Sequence, residues 1–272
     1  MNVSFFSVCD SGYLPPAIIA LESIRRFYPD REFFIGGLFD DPYRAVRIGE
    51  AFNITIINLP IDRYYRQPHV ADSTVERWSV ACFGHYLMLR ELAVRGYSHA
   101  CYVDGDVLCV NPFFFDDAFP ENGIVSAVRQ DDGWINSGVL FYNVVMALEC
   151  SFAEKALNHY NNTKICRHES CTAYCCELGD QELLTVILER EGLPWKELDT
   201  AYNYFLPWPL RLYEKRNGRL LANLGECFFA HMMLKPWMEE AHRVELYPML
   251  AGAYARWRPI ASEVTARLKF AG

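Results

Sequence analysis

A chain of 272 residues with 51% hydrophobic and 22% charged side chains is globular in composition and long enough to bury a large core, as one big α/β domain or two small ones. Its net charge of −8 argues against a nucleic-acid-binding surface, which is usually basic, and mildly against electrostatic docking to anionic lipid. Aromatic residues make up 15%, which suits both a large core and surfaces that stack on a base or a sugar ring.

Taken in order, residues 2–9 form an apolar run that reads as a first strand ending at the turn Asp10-Ser11-Gly12. The N-terminus has no basic stretch ahead of its apolar run and reaches Asp10 early, so no signal peptide is expected. No apolar run approaches the ~18 residues that span a bilayer. A soluble, cytoplasmic protein is the expectation, and the ten Cys then read as reduced thiols more than as a disulfide framework. Pro15-Pro16 opens a helix over 17–28, where the missing proline N–H costs nothing in the first turn. A strand over 32–39, a helix over 41–52 and a strand over 54–59 follow. Strands alternating with helices in this way imply a mainly parallel sheet covered on both faces, with ligands beyond the carboxyl ends of its strands.

A polar, aromatic loop over 61–72 leads to Ser73-Thr74-Val75-Glu76, a capping-box pattern, and a long helix over 74–95 closed by Gly96. Next comes an apolar strand that runs into Asp104-Gly105-Asp106. Residues 113–119 read as an aromatic loop or short helix, 124–128 and 139–142 as strands, and 147–160 as a helix. The segment 161–179 is an irregular, Cys-rich insertion. A helix over 180–191 begins with an acidic turn that complements its dipole. The stretch 193–212 reads as a structured loop, 226–232 as a late strand ending near His231, and the tail from 238 as mostly helical. No linker divides the chain, so one domain over 1–240 with a helical C-terminal extension over 241–272 is expected.

Two carboxylates one residue apart at a strand end suit a hard divalent cation, which takes oxygen ligands and bridges protein to substrate phosphates. Gly105 between them would let another group approach the backbone. By itself such a pair is more often a solvated turn.

Five landmarks in order change that balance. They are Tyr13-Leu14-Pro15-Pro16 after the first strand, Asp104-Gly105-Asp106, Asn136-Ser137-Gly138-Val139-Leu140, Asp180-Gln181-Glu182-Leu183-Leu184, and His231 followed by Lys235-Pro236-Trp237. Over roughly residues 1–240 the chain resembles the glycosyltransferase family 8 enzymes, the glycogenin-like and lipopolysaccharide galactosyltransferase-like retaining transferases of GT-A fold. The resemblance implies transfer of a hexose, glucose or galactose, from a UDP-sugar to a hydroxyl acceptor with retained anomeric configuration. It implies Mn²⁺, with Mg²⁺ as the alternative. Asp104, Asp106 and His231 fall on the family's metal ligands. Asp10, with Val8, Gly12 and Tyr13 beside it, falls on the uracil site, and Lys235 on the lysine that meets the diphosphate. Asn136, Ser137 and Asp180 fall on the donor-sugar segment, and Asp180 with Gln181 on the pair at the reacting face of that sugar.

The sequence departs from the family pattern twice. The family's His-x-x-Gly-x-x-Lys-Pro-Trp is here His231-Met232-Met233-Leu234-Lys235, two residues shorter and without the glycine. Many members also aim an Arg or Lys at the phosphates from the long helix. The nearest positions here are His85 and Tyr86, with Arg77 and Arg90 further off. These departures keep a second reading open, a non-catalytic nucleotide-sugar-binding module of the same fold. A sugar-phosphate nucleotidyltransferase is the weaker third, because residues 9–13 lack the basic, Gly-rich loop it needs.

The insertion holds Cys166, His168, Cys171, Cys175 and Cys176, for which a zinc site, a local disulfide and free thiols all stay open. The acceptor, whether carbohydrate, lipid-linked or protein, is not marked. Arg256, Arg258, Arg267 and Lys269 with Trp257 and Phe270 leave room for at most a peripheral membrane contact, and a homodimer stays compatible with the sequence.

Overall fold

A computed structural model describes residues 1–61, 83–130, 133–162, 180–206, 221–232, 236 and 248–271, with 160–162 as backbone only. In chain order the elements are β1 (Val3–Asp10), α1 (Leu14–Arg25), β2 (Glu32–Leu38), α2 (Pro42–Ala51), β3 (Thr55–Asn58), α3 (Gly84–Val94), β4 (His99–Val103), β5 (Val107–Cys109), α4 (Phe115–Ala118), β6 (Val125–Val128) and β7 (Val139–Asn143). They continue as α5 (Val144–Glu149), α6 (Phe152–Asn162), α7 (Asp180–Arg190), β8 (Trp195–Leu198), β9 (Tyr204–Phe205), β10 (Phe229–His231) and α8 (Pro248–Ala271).

Strand β1 shows why the sheet is buried on both faces. Val3, Phe5 and Cys9 enter one hydrophobic cluster, while Phe6 and Val8 enter the other. Alternate side chains leave a strand on opposite faces, so a strand apolar at nearly every position needs cover on both. Helices α1, α2 and α8 cover the first face; α3, α5, α6 and α7 cover the second. The main sheet has the order β3-β2-β1-β4-β7-β6-β8. All its pairings are parallel except β4–β7 and β6–β7, so β7 alone runs against the rest. A small second sheet, β5-β10-β9, stands beside it, with β10 antiparallel to β5 and parallel to β9.

Several sequence signals act as expected. Asp41 caps α2, its carboxylate accepting from the Arg44 N–H at 2.9 Å, with Pro42 in the first turn. Gly96, at φ 84°, ends α3 in the left-handed region that glycine adopts freely. Phe113 packs into the core, with ring centroids 5.2 Å from Phe141 and 5.3 Å from Phe229, whereas Phe114 is exposed. Truncating a ring so enclosed, such as Phe141, typically costs ~3–5 kcal/mol.

Three expectations are corrected. The helix expected over 74–95 does not run unbroken, because α3 begins at Gly84 with Phe83 as its N-cap. The single helix over 147–160 is two helices, starting earlier and broken at Ser151, whose φ is 52°. Asn143 begins the first of them by accepting from the Met146 N–H at 3.1 Å. The loop expected over 193–212 contains β8, the edge strand paired in parallel with β6. An edge strand needs only one covered face, so Trp195-Lys196-Glu197-Leu198 carries polar residues that read as loop. The capping box at 73–76, the Cys-rich insertion at 166–176 and Lys235 lie outside the described residues. Among the described residues, no helix is long and apolar enough to cross a membrane.

Candidate functional site

Asp10 ends β1 and Asp104 follows β4, so both sit at the carboxyl ends of two adjacent parallel strands, where open α/β sheets hold their ligands. The chain leaves β4 at Asp104, turns through Gly105 and Asp106, and enters the small sheet as β5. Two main-chain bonds hold this turn: the Asp104 N–H donates to Gly138 O at 2.9 Å, and the Val107 N–H donates to Asp104 O at 3.2 Å. The group that approaches Gly105 is the first turn of α1. A Cβ on Gly105 would lie 3.2 Å from the Pro16 Cβ and 3.3 Å from the Ala17 N.

Antiparallel pairing sets His231 opposite Val107, next to Asp106. Asp106 O accepts from the Met232 N–H at 2.9 Å, which fixes the two loops together. As a result Asp104, Asp106 and His231 each offer one ligand atom within 4.8 Å of the others. The imidazole is held on three sides. Its Nδ1 lies 3.1 Å from Asn203 Oδ1, its face stacks on Phe205 at 4.6 Å, and Gly138 lies against its edge. A Cβ on Gly138 would come within 2.5 Å of His231 Cε1, so only glycine leaves room for the ring there. An amide oxygen can only accept, so Asn203 Oδ1 accepts from the Nδ1–H, and Nε2 is the ring nitrogen that faces Asp106, 3.4 Å away.

Electrostatics point the same way. Burial, with Asp106 and Asp180 beside it, pushes the Asp104 carboxyl up to about 7, against the pull of His231 and of the Tyr102 hydroxyl that donates to it. Asp180 is also raised, chiefly by burial, although the Ser137 hydroxyl, main-chain N–H groups at the start of α7 and nearby His231 pull it down. Three carboxylates crowded around one imidazole repel one another, and a cation between them removes that penalty. The donor set, two carboxylates and one imidazole, fits a divalent cation.

The sugar-side candidates sit on the connection between β6 and β7 and on the first turn of α7. Asn136 is buried. Its Oδ1 accepts from the Gly138 N–H at 2.7 Å, while its Nδ2 has no hydrogen-bond partner among the described residues. Ser137 is buried against Asp180. Gln181 meets the side chain of Gln130, with Gln130 Nε2 donating to Gln181 Oε1 at 3.1 Å. At the end of the neighbouring strand β1, Asp10 Oδ1 accepts from the Tyr13 N–H at 2.9 Å. Val8 is buried, and Gly12 is exposed. The structure thus joins Asp104, Asp106, His231, Asn136, Ser137, Asp180 and Gln181 through direct or one-residue contacts, with Asp10, Gly12 and Tyr13 at the neighbouring strand end.

Position 85 carries no cation. His85 is wholly buried among Tyr86, Tyr102 and Tyr142, with Nδ1 2.8 Å from the Tyr142 hydroxyl, and burial pushes its pKa down to about 3. Sequence reasoning overlooked Tyr102, Asn203, Phe205 and Gln130. A polar Asn203 inside the aromatic run Tyr202–Phe205 was the one available signal.

No family model and no curated protein sequence matches the chain. Solved structures do. The galactosyltransferase LgtC, solved with donor and acceptor sugar analogs, aligns with a TM-score of 0.58 at 15% identity, covering 97% of this chain and 96% of that one. The glycosyltransferase GlyE of Streptococcus pneumoniae TIGR4 aligns with a TM-score of 0.61 at 15% identity, over 98% of this chain and 63% of that one. Mouse xyloside xylosyltransferase 1 aligns with a TM-score of 0.54 at 16% identity, over 86% of this chain and 98% of that one. The chain therefore has the GT-A fold of the glycosyltransferases, in agreement with the family 8 resemblance of its motifs.

Proposed function

We propose that the protein is a retaining, divalent-metal-dependent glycosyltransferase that moves glucose or galactose from a UDP-sugar to a hydroxyl acceptor. One observation carries the reading: three ligand atoms from Asp104, Asp106 and His231, brought from distant parts of the chain, lie within 4.8 Å of one another at the carboxyl edge of a GT-A sheet.

In this reading Asp104, Asp106 and His231 hold Mn²⁺, and Asn203 keeps the imidazole in the binding tautomer. The ion would supply positive charge against the diphosphate as it leaves. Asp10, with Val8, Gly12 and Tyr13, receives the uracil ring, and Lys235 meets the diphosphate. Asn136, Ser137 and Asp180 orient the donor sugar, to which Asn136 Nδ2, without a hydrogen-bond partner among the described residues, offers a donor. Gln181 faces the anomeric carbon and stabilises its developing positive charge through the amide oxygen. An amide is a poor nucleophile, and Asp180 is engaged by the Ser137 hydroxyl, so a covalent double displacement is disfavoured. Instead the acceptor oxygen bonds to the anomeric carbon on the face from which the diphosphate departs. The bond from that carbon to the phosphate oxygen breaks, and the acceptor's proton passes to the departing phosphate.

The test is UDP release from UDP-glucose and UDP-galactose. Release that stops with EDTA and returns with Mn²⁺ is expected; release indifferent to EDTA contradicts the metal assignment. His85 favours a second reading, because a buried neutral ring replaces the basic group that the resemblance leads one to expect near the phosphates. A non-catalytic nucleotide-sugar binder would show Mn²⁺-dependent UDP binding without UDP release.

A further inference from the structure

The amide of Gln181 does not stand alone. We infer that Gln130 is the positioning residue for Gln181, and that a seam between the β6–β7 connection and the first turn of α7 sets the reacting face of the donor sugar. The inference rests on the transferase reading of Gln181 given above.

Gln130 is 2% exposed, unusual for an amide side chain with two donors and two acceptor sites to satisfy. Its amide makes a reciprocal pair with Gln181: Gln130 Nε2 donates to Gln181 Oε1 at 3.1 Å, and Gln181 Nε2 donates to Gln130 Oε1 at 3.4 Å. The Gln130 backbone is itself fixed. Its N–H donates to Trp134 O at 2.8 Å, and its carbonyl accepts from the Gly133 N–H at 2.9 Å. Two further bonds run parallel to the amide pair. The Ile135 N–H donates to Thr185 Oγ1 at 2.9 Å, and that hydroxyl donates to Gln181 O at 3.0 Å. The Ser137 hydroxyl bonds the Asp180 carboxylate. Residues 130, 135 and 137 thus grip residues 181, 185 and 180 in turn.

The consequence is chemical. A glutamine at a helix start has several soft torsions, and its two amide atoms are interchangeable by rotation. The reciprocal pair ties the two amides together, so Gln181 keeps its place only while Gln130 offers it both a donor and an acceptor. The oxygen of Gln181 keeps a second lone pair for the sugar while its position is set by Gln130. Turnover depends steeply on such placement, with misplacement by ~1 Å costing about 10²-fold.

The test is a double-mutant cycle on the full-length chain, reading kcat and donor KM for UDP release. Gln130→Leu, which keeps the bulk and removes the amide, is expected to lower kcat ~10–100-fold with donor KM little changed. Gln130→Glu, whose carboxylate cannot donate to Gln181 Oε1, should behave alike while preserving the polar volume. Gln181→Ala lowers kcat too, and adding Gln130→Leu to it costs nothing more, because Gln130 acts only through Gln181. If the Gln130→Leu loss persists in full on the Gln181→Ala background, Gln130 is merely structural and the inference falls. Wild-type kcat in both Gln130 variants overturns it as well. Full turnover by Gln181→Ala, or none by the wild type, instead contradicts the role given to Gln181, and the inference goes with it.

Discussion

The two corners of the site are built differently. The corner of Asp104, Asp106 and His231 is placed by backbone, with Asn203, Phe205 and Tyr102 steadying its side chains. Asp104 is bonded to Gly138 and Val107, Asp106 to Met232, and His231 occupies a ladder position opposite Val107. The corner of Ser137, Asp180 and Gln181 is a matter of side chains, closed by a hydroxyl on a carboxylate and by an amide on an amide. A strand ladder places its residues rigidly whatever they are, whereas a side-chain seam fails when one member changes. The first corner suits holding a cation in fixed geometry. The second suits holding a sugar that must be oriented and then released.

If that contrast is right, changes at the two corners separate binding from turnover. The largest effect is expected from Asp106→Ala, with UDP release falling by about 10³-fold, as the loss of several kcal/mol of charge stabilisation implies. Near-normal release by this variant would break the metal corner outright. Next comes Gly138→Ala. Its Cβ would press on a ring already held by Asn203 and Phe205, and Mn²⁺ affinity should fall ~10–100-fold in calorimetry, as for other changes around metal ligands. Unchanged affinity would mean that the ring moves freely. Ser137→Ala sharpens the contrast from the other side. Losing one bond to a carboxylate should cost about 10-fold in kcat and leave Mn²⁺ affinity alone.

The smallest effect concerns His85, which stacks on Tyr102, whose hydroxyl donates to Asp104. Its pKa is pushed from an ordinary 6.5 to about 3 by burial, so between those values the unfolded chain takes up a proton that the folded chain refuses. The stability this group contributes is complete above 6.5 and is lost as the pH falls toward about 3. His85→Phe should therefore flatten the acid limb of stability, read as urea midpoints at about pH 7 and about pH 5; an unchanged limb would show that the ring is not held neutral.

The same contrast explains what was legible in the sequence. The parallel sheet could be read because strands buried on both faces, such as Val3–Asp10 and His99–Val103, are apolar runs that stop at carboxylates. Asp104 and Asp106 could be found because a hard break in an apolar run is a local feature. His231, Asn136, Ser137, Asp180 and Gln181 came from motif resemblance, and the structure brings them beside the Asp pair. What could not be read is whatever depends on a partner distant in sequence. Nothing local marks Gln130 as the mate of Gln181, or Asn203 as the anchor of His231. The break at Ser151 was hidden because a serine at positive φ leaves no compositional trace, and β8 was hidden because its exposed polar residues resemble a loop.

The central claim is that strand ends and a small second sheet assemble a divalent-cation site from Asp104, Asp106 and His231. Titration calorimetry with Mn²⁺ on the wild type and on Asp104→Ala, each first stripped with EDTA, tests it most directly. One Mn²⁺ per wild-type chain and none measurable in the variant is the predicted result. Equal binding by both, or binding by neither, would contradict it.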